Sequence, residues 1–541
     1  MSVLTGAQLS TLLRIQFSDE QLAAITAPLE PAVIVAGAGT GKTTVMAARV
    51  VWLVASGLVR PDEVLGLTFT RKAAAELGQR IRRALITAGV LLTADIDAGG
   101  EPLVLTYDAF AGRLVGEHGL RAGLEDDPVM ITGASRFRLG SRVVTATAAP
   151  VTHLSRLRPD TVTERLLSLD AEMQAHLVDP TELADQSEAA ALELANAPLN
   201  RLRKPYASVK QATQALAERL ELGQLGVEYQ DLKRRLGYVE FADQMAAAAR
   251  LARAVPHVGA TLRGQFRVVL LDEYQDTSAA QAEVLASVFS GPEVVSGLGH
   301  PVTAVGDPYQ AIYGWRGAAA SNILGFPAAF RTGDRLPARQ YALTVNRRSG
   351  PLILAAANQL ARPLAADPLL ASDGVDHHLR APDGTSPGTI RAASFETWRE
   401  EVDFIADGVV AAREEGRIAS WAEAAVLVRR NAHIGALYSG LLQRGVPVEI
   451  VGLGGLLTVP EVADVVSTLR LLADVTADAD TVRLLTGPRW RVGSGDLALL
   501  GRRVRQLGPP PSSREQRATL AQDLDDALAH TESALHASLL E

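Results

Sequence analysis

Ala36-Gly37-Ala38-Gly39-Thr40-Gly41-Lys42-Thr43-Thr44 is the stretch on which the fold turns. It follows the apolar run Ala32-Val33-Ile34-Val35, which reads as a buried strand, and precedes a segment with helical spacing from Val45 to Ala55. Strand, glycine-rich turn and helix in that order make the setting of a phosphate-binding loop. Glycines let backbone N–H groups curl around an anion, and the helix N-terminus adds partial positive charge. The residues Gly37, Ala38, Gly39, Thr40, Gly41 and Thr44 would line the nucleotide, Lys42 would reach the β and γ phosphates, and Thr43 would hold magnesium. Ala36 takes the place of the first glycine in the strict GxxxxGK[ST] spacing.

Outward from the loop, the chain reads as further strand-to-helix units. Upstream, Phe17-Ser18-Asp19-Glu20-Gln21 opens a helix with Ser18 as cap. Gln21 offers an amide donor and acceptor side by side, suited to adenine, although a solvated helix position is the plainer reading. Downstream, Glu63 to Phe69 is the next strand, and Thr70-Arg71-Lys72 starts the next helix. Phe69, Thr70 and Arg71 thus gather an aromatic, a hydroxyl and a cation at a strand end, a set suited to a nucleic-acid backbone and a stacked base. Leu103 to Phe110 repeats the pattern, so this region is an α/β fold with a parallel sheet.

From about Gly116 to Arg250 the alternation gives way to long Ala/Leu/Glu/Arg-rich helical patterns, as over Thr163 to Ala195, and a helical insertion is expected. Arg201, Arg203, Lys204 and Lys210, then Lys233-Arg234-Arg235, are basic, with Glu218, Glu221, Glu228 and Asp231 between them; DNA contact and a solvated helix face are both open. The sheet resumes at Phe266 to Leu271 and ends in Asp272-Glu273. Carboxylates at the end of a buried strand are costly unless employed. Asp272 is placed to hold magnesium through water, and Glu273 to deprotonate the water attacking the γ phosphate. The strand Val302 to Val305 leads to a loop in which Gln310 could sense the γ phosphate while Tyr313, Trp315 and Arg316 form a stacking platform.

The 541 residues suggest about three or four domains. A 47% apolar fraction permits large cores, and no apolar run is long enough to span a bilayer. The start MSVLTGAQLSTLLRI has neither a basic leader with a long apolar stretch nor a cleavage site, which argues against export. The absence of cysteine excludes disulfides, thiolate zinc sites and iron–sulfur clusters within the chain. A net charge of −8 argues against a general polyanion binder while leaving room for a local basic groove.

Taken together, FSDEQLAAI, AGAGTGKTT, LTFTRKAAAEL, TYDAF, LDEYQDTS, VGDPYQAIYGWRGA and LTVNRRS make the chain resemble a superfamily I DNA helicase of the UvrD/Rep/PcrA type. The resemblance runs from about Phe17 to Val492 and includes Ala424 to Asp474, similar to the family's second motor domain. TFTRKAA, TYDAF and LLTGPRWRVG lean toward the actinobacterial branch that includes RecB-like and AdnB-like helicase–nuclease motors.

The resemblance implies two RecA-like motor domains with helical insertions: 1–115 and 251–318 for the first motor, 116–250 for its insertion, 319–475 for the start of the second motor and 476–541 for the start of a second insertion. It implies ATP with Mg2+, 3′ to 5′ movement on single-stranded DNA or a duplex with a 3′ tail, a role in repair or recombination, and a bacterial cytosolic setting without membrane. A partner motor or nuclease subunit belongs to the same expectation. Residue by residue, it assigns Gln21 to adenine, Lys42 and Thr43 to phosphate and magnesium, and Asp272 and Glu273 to magnesium and catalysis. Gln310 and Arg348 would touch the γ phosphate, Arg348 from the second motor domain, and Phe69, Thr70, Thr106, Tyr313 and Trp315 would face DNA.

The departures are specific. Arg347 stands where the family has an adenine-stacking tyrosine, and a guanidinium can also lie over a purine. Thr44 replaces a frequent arginine, and Asp108-Ala109 replace a His-Ser pair. The family's last two motifs find no match between Gly493 and Glu541, so residues 1–541 alone are expected to bind ATP but hydrolyse it poorly. Three readings follow: an ATP-driven DNA motor, an ATP-switched DNA-binding subunit of a larger helicase–nuclease complex, or the same motor acting on RNA.

Overall fold

A computed structural model describes residues 3–91, 100–124, 128–149, 151–201, 203–314, 317–319, 321–368, 370, 374–451, 460–473 and 477–507. The expectations for Trp315, Arg316 and the segment after residue 507 therefore lie outside the described residues. The chain divides into two compact units, Met1–Ile390 and Arg391–Glu541.

The first unit is built on a six-stranded sheet in the order β3-β2-β6-β7-β1-β8, where β1 is Ala32–Ala36, β2 Val64–Thr68, β3 Leu103–Thr106, β6 Val268–Leu271, β7 Val302–Gly306 and β8 Arg339–Leu343. Every neighbouring pair is parallel. Parallel strands need helical crossovers, which cover both faces and bury the strands completely. The register of β1 shows this residue by residue. Val33 and Val35 face one core, with Leu65, Leu67, Val269, Leu271, Val302 and Ala304. Ile34 and Ala36 face the other, with Val64, Val268, Leu270, Val305 and Leu343. The period of two in a β-strand splits one apolar run between two cores, and each fully buried Val, Leu or Ile contributes ~1.5–3 kcal/mol.

The sheet takes its last strand, β8, from beyond residue 318, where the sequence reading changes motor domain. Arg339 to Leu343 pair with Ala32 to Ala36, so the segment leading to Arg348 runs beside the phosphate-loop strand within the first unit.

The insertion is helical as expected, with the helices Gly133–Ala146, Pro159–His176, Pro180–Ala195 and Ala207–Arg235 around a core of Leu139, Val143, Leu166, Leu222, Leu225 and Tyr229. The helical pattern over Thr163 to Ala195 is carried by two helices. Leu177 turns left-handed (φ 56°) to end the first, and Asp179 caps the second through the N–H groups of Thr181 and Glu182, ahead of Pro180 at its first position. Two-residue strands β4 (Val129–Met130) and β5 (Tyr238–Val239) pair in parallel at its base.

Of the basic run Lys233-Arg234-Arg235, Arg234 and Arg235 are exposed, but Lys233 is not part of a solvated face. Lys233 is fully buried, with its ammonium 3.2 Å from Asp170, 3.0 Å from Glu240 and 2.7 Å from Asp243. Burial alone would lower its pKa, and the three carboxylates raise it. The intervening acids are likewise engaged: Glu218 pairs with Arg156 and Arg165, and Glu221 accepts from the N–H groups of Thr152, His153 and Leu154. Arg201, Arg203 and Lys204 remain exposed on the turn before Ala207–Arg235, and Lys210 is exposed in that helix's first turn.

The second unit carries the helices Trp398–Glu414, Ile434–Gln443, Pro460–Ala473, Asp478–Thr486 and Ser494–Leu507, with a small core at Ala406, Leu441 and Val446. Among its described residues no strand is paired. Among the described residues no helix is long and apolar enough to cross a membrane.

Candidate nucleotide site and nucleic-acid face

Because all six strands run the same way, their C-terminal ends share one rim, and the order of the sheet decides what meets there. β6, β7, β1 and β8 are consecutive neighbours, so the ends carrying Asp272-Glu273, Asp307, the phosphate loop and Arg347-Arg348 converge. β3 and β2 lie on the far side and carry Thr106 and Phe69-Thr70 to the other end of the rim.

The phosphate loop is shaped by Gly39 (φ +70°) and Gly41 (φ +90°), left-handed positions that cost an L side chain ~1–2 kcal/mol. Gly41 is the cap of the Lys42–Ala55 helix and offers no side-chain acceptor, and the first turn holds no acid. The opening N–H groups are thus available to an anion, supported by the helix dipole. Lys42 Nζ is bonded to the Ala36 carbonyl at 3.3 Å and lies 3.8 Å from Glu273 Oε2. These two groups, 231 positions apart in sequence by their numbering, occupy one cleft.

Asp272 is buried. Its Oδ2 accepts a 3.4 Å bond from Thr68, while Oδ1 has no protein partner. Burial, reinforced by Glu273, pushes its pKa up to about 6. Asp276 is likewise pushed up to about 6 by burial and then Glu273, and its Oδ1 is also unpartnered. Buried carboxylate oxygens without protein partners suit a hydrated cation. Glu273 itself sits at φ 47°, ψ 44°, a left-handed conformation that is unusual for a non-glycine residue. Its Oε2 accepts from Gln275 Nε2 at 2.9 Å. The Tyr107 hydroxyl donates to the Asp272 carbonyl at 2.9 Å, and burial holds that phenol protonated.

The remaining nucleotide residues are present but engaged within the protein. Gln21 Nε2 donates to the Thr40 carbonyl at 2.9 Å and its Oε1 accepts from Ser18 N at 3.1 Å, so both sides of the amide expected at adenine hold the loop and the Ser18 cap. Gln310 Nε2 donates to Asp307. Arg347 is exposed, with its guanidinium on the Gln16 carbonyl at 3.0 Å and its backbone N–H on the Gly39 carbonyl at 2.9 Å. Arg348 is exposed beside Gly39, where an added Cβ would come within 2.8 Å of Arg348 Cβ.

The residues expected to face nucleic acid cluster at the other end of the rim. The rings of Phe69 and Tyr313 are 4.6 Å apart and tilted by 34°. Thr70 and Thr106 cap their helices by accepting from Ala73 N at 3.1 Å and Ala109 N at 3.0 Å. Capping uses the oxygen as acceptor and leaves each hydroxyl proton to donate to a phosphate. Arg71 is exposed beside them.

Three residues were not singled out in the sequence reading. Gln275 lies within LDEYQDTS, and Asn346 within LTVNRRS. Asn346 is buried, donates to the Ala38 carbonyl and accepts from Arg348 N and Ser349 N, both at 2.8 Å. An amide among charged residues at a strand end is the signal that could have found both. Leu379, which abuts Gly37, carries no such signal.

A parallel sheet that brings a glycine-rich anion loop, its lysine and an Asp-Glu pair to one cleft defines a P-loop nucleotide-binding motor domain. Residues 17–331 match the UvrD/REP helicase N-terminal domain and residues 341–508 the UvrD-like helicase C-terminal domain, and the chain belongs to the UvrD/Rep family of helicases. It is 28% identical over 507 residues to DNA helicase II of Escherichia coli (strain K12), a match covering 93% of this chain and 60% of that protein. It is 27% identical over 483 residues to ATP-dependent DNA helicase PcrA of Leuconostoc citreum, covering 89% of this chain and 56% of the relative. The PcrA of Staphylococcus aureus (strain Mu50) is 26% identical over 487 residues, covering 88% and 56%. The chain therefore spans somewhat more than half the length of these relatives.

Proposed function

We propose that this chain is the ATP-driven motor portion of a DNA helicase that moves 3′ to 5′ along single-stranded DNA, in bacterial cytosolic repair or recombination. The observation that carries the reading is the meeting of Lys42 and Glu273 at 3.8 Å in the cleft below the phosphate loop. The Phe69–Tyr313 pair on the same rim supplies a surface on which a base can stack.

In this reading the loop amides and Lys42 hold the phosphates, and a triphosphate competes with Glu273 for the ammonium. The freed Glu273 carboxylate takes a proton from water as the water oxygen bonds to the γ phosphorus and the bridging P–O bond breaks, its electrons leaving with ADP. Gln310 and Arg348 face the γ phosphate. Thr43 and Asp272 would hold Mg2+, with which the orphaned Oδ1 of Asp272 is compatible, and the ion would supply charge neutralisation. DNA as substrate rests on the names of the relatives, DNA helicase II and ATP-dependent DNA helicase PcrA.

The test compares full-length protein with its Lys42→Ala and Glu273→Gln variants on duplexes bearing a 3′ or a 5′ tail and on an RNA duplex. The expected result is unwinding of the 3′-tailed DNA alone, lost in both variants while DNA binding is kept. Wild-type protein that binds ATP and DNA but neither unwinds nor translocates would overturn the motor reading in favour of an ATP-switched binding subunit.

A further inference from the structure

We infer that Gln275 is a positioning residue through which the nucleic-acid-facing loop after β7 sets the orientation of Glu273; the inference rests on the hydrolytic reading above. Gln275 is 1% exposed, and both ends of its amide are committed. Nε2 donates to Glu273 Oε2 at 2.9 Å and, at the longer distance of 3.4 Å, to Asp276 Oδ2, and Oε1 accepts from the backbone N–H of Asp307 at 3.1 Å. The approach depends on Gly306, where any Cβ would run into Gln275 Oε1.

From Asp307 the chain of bonds continues into the loop. Asp307 Oδ1 accepts from Tyr309 N at 3.0 Å and Oδ2 from Gln310 Nε2. The same loop carries Tyr313 onto Phe69. A base that inserts at this aromatic pair displaces Tyr313, and the loop is tied to Glu273 through one short, buried amide. A packed, hydrogen-bonded link of this kind transmits displacement instead of absorbing it.

Glu273 needs such a link. Its left-handed backbone takes it out of the strand geometry, and its ion pair with Lys42 is the contact for which the phosphates compete. Once the ammonium turns to substrate, the Gln275 amide still holds the carboxylate. The role requires a donor toward Glu273 and an acceptor toward Asp307, which Gln supplies and an apolar side chain does not. A protonated glutamic acid supplies both as well, whereas an ionised one repels both Glu273 and Asp276.

The experiment is steady-state ATP hydrolysis by full-length protein with and without single-stranded DNA, for wild type, Gln275→Leu and Gln275→Glu, at pH values from about 6 to 8. We expect DNA-stimulated kcat to fall ~10–100-fold in Gln275→Leu, on the scale of losing one orienting contact, with KM for ATP and DNA affinity changing less than about threefold. The kcat of Gln275→Glu relative to wild type is expected to rise as pH falls, since protonation restores both hydrogen bonds. Should the leucine variant fail to fold, the pH trend of the isosteric glutamate variant carries the test. A Gln275→Glu ratio flat with pH, or variants stimulated by DNA like wild type, would overturn the inference and leave the motor reading standing. Wild-type protein without DNA-stimulated hydrolysis would overturn both.

Discussion

Asp272 illustrates how a single buried carboxylate couples chemistry to stability. Its folded pKa of about 6 lies above the ~3.9 of a free aspartate, so the fold disfavours the charged form. The cost is absent below about pH 4 and complete above about pH 6. Asp272→Asn is therefore expected to abolish hydrolysis yet stabilise the nucleotide-free protein at pH 8, by on the order of 2 kcal/mol. The gain should shrink as pH falls through 6, which denaturant melts at pH 8 and pH 5 measure directly. Gly39 makes the opposite point. Gly39→Ala must hold φ +70° and press on Asn346 Nδ2 at 2.7 Å and Arg348 Cβ at 2.8 Å. ATP affinity is expected to drop ~10-fold or more, for a cost above ~1 kcal/mol, as read by fluorescent-nucleotide titration.

At the scale of elements, the rim of the sheet divides its labour by strand order. β6, β7, β1 and β8 bring the nucleotide groups together, while β2 and β3 present Thr70 and Thr106 as helix caps with a proton to spare. Phe69→Ala and Tyr313→Ala are each expected to weaken single-stranded DNA binding by ~1–3 kcal/mol. The loss should persist at high salt, because stacking, unlike phosphate contact, is weakly screened; anisotropy titrations at two salt concentrations would decide it. Apart from β8, these strands and loops were legible in the sequence because apolar runs ending in Gly, Thr or Asp are local signals. The order of the sheet was not. Nothing local in Arg339 to Leu343 says that it pairs with Ala32 to Ala36, since pairing is a long-range property of the whole sheet. For the same reason Lys42, Asp272 and Glu273 could be picked out singly, but the Gln275 bridge to Asp307 and the grip of Asn346 on Ala38 could not.

Across the whole first unit, the helical insertion departs and returns through a junction that the sequence disguised. Lys233-Arg234-Arg235 looks like a basic face, yet Arg234 and Arg235 are exposed while Lys233 is enclosed by Asp170 from one helix and by Glu240 and Asp243 from the start of another. The Tyr229 hydroxyl adds a 2.7 Å bond to Glu240. Lys233→Met leaves three carboxylates facing one another in a buried place, and is expected to cost ~3–5 kcal/mol. Calorimetry should show the loss, with hydrogen exchange rising first in Pro159–His176 and Ala207–Arg235.

The position of β8 has a mechanical side. Five register pairs join it to β1, both running the same way, and β8 is the outermost strand next to the one that carries the glycine-rich turn. Tension on the polypeptide past Leu343 meets the bonds of Thr344, Asn346 and Arg347 first, and what passes them pulls along the strand axis and loads those five pairs in shear. The glycine-rich turn is thus fastened to the chain beyond Leu343 twice over, by the β8 pairs and by the bonds of Asn346 and Arg347 to the turn itself.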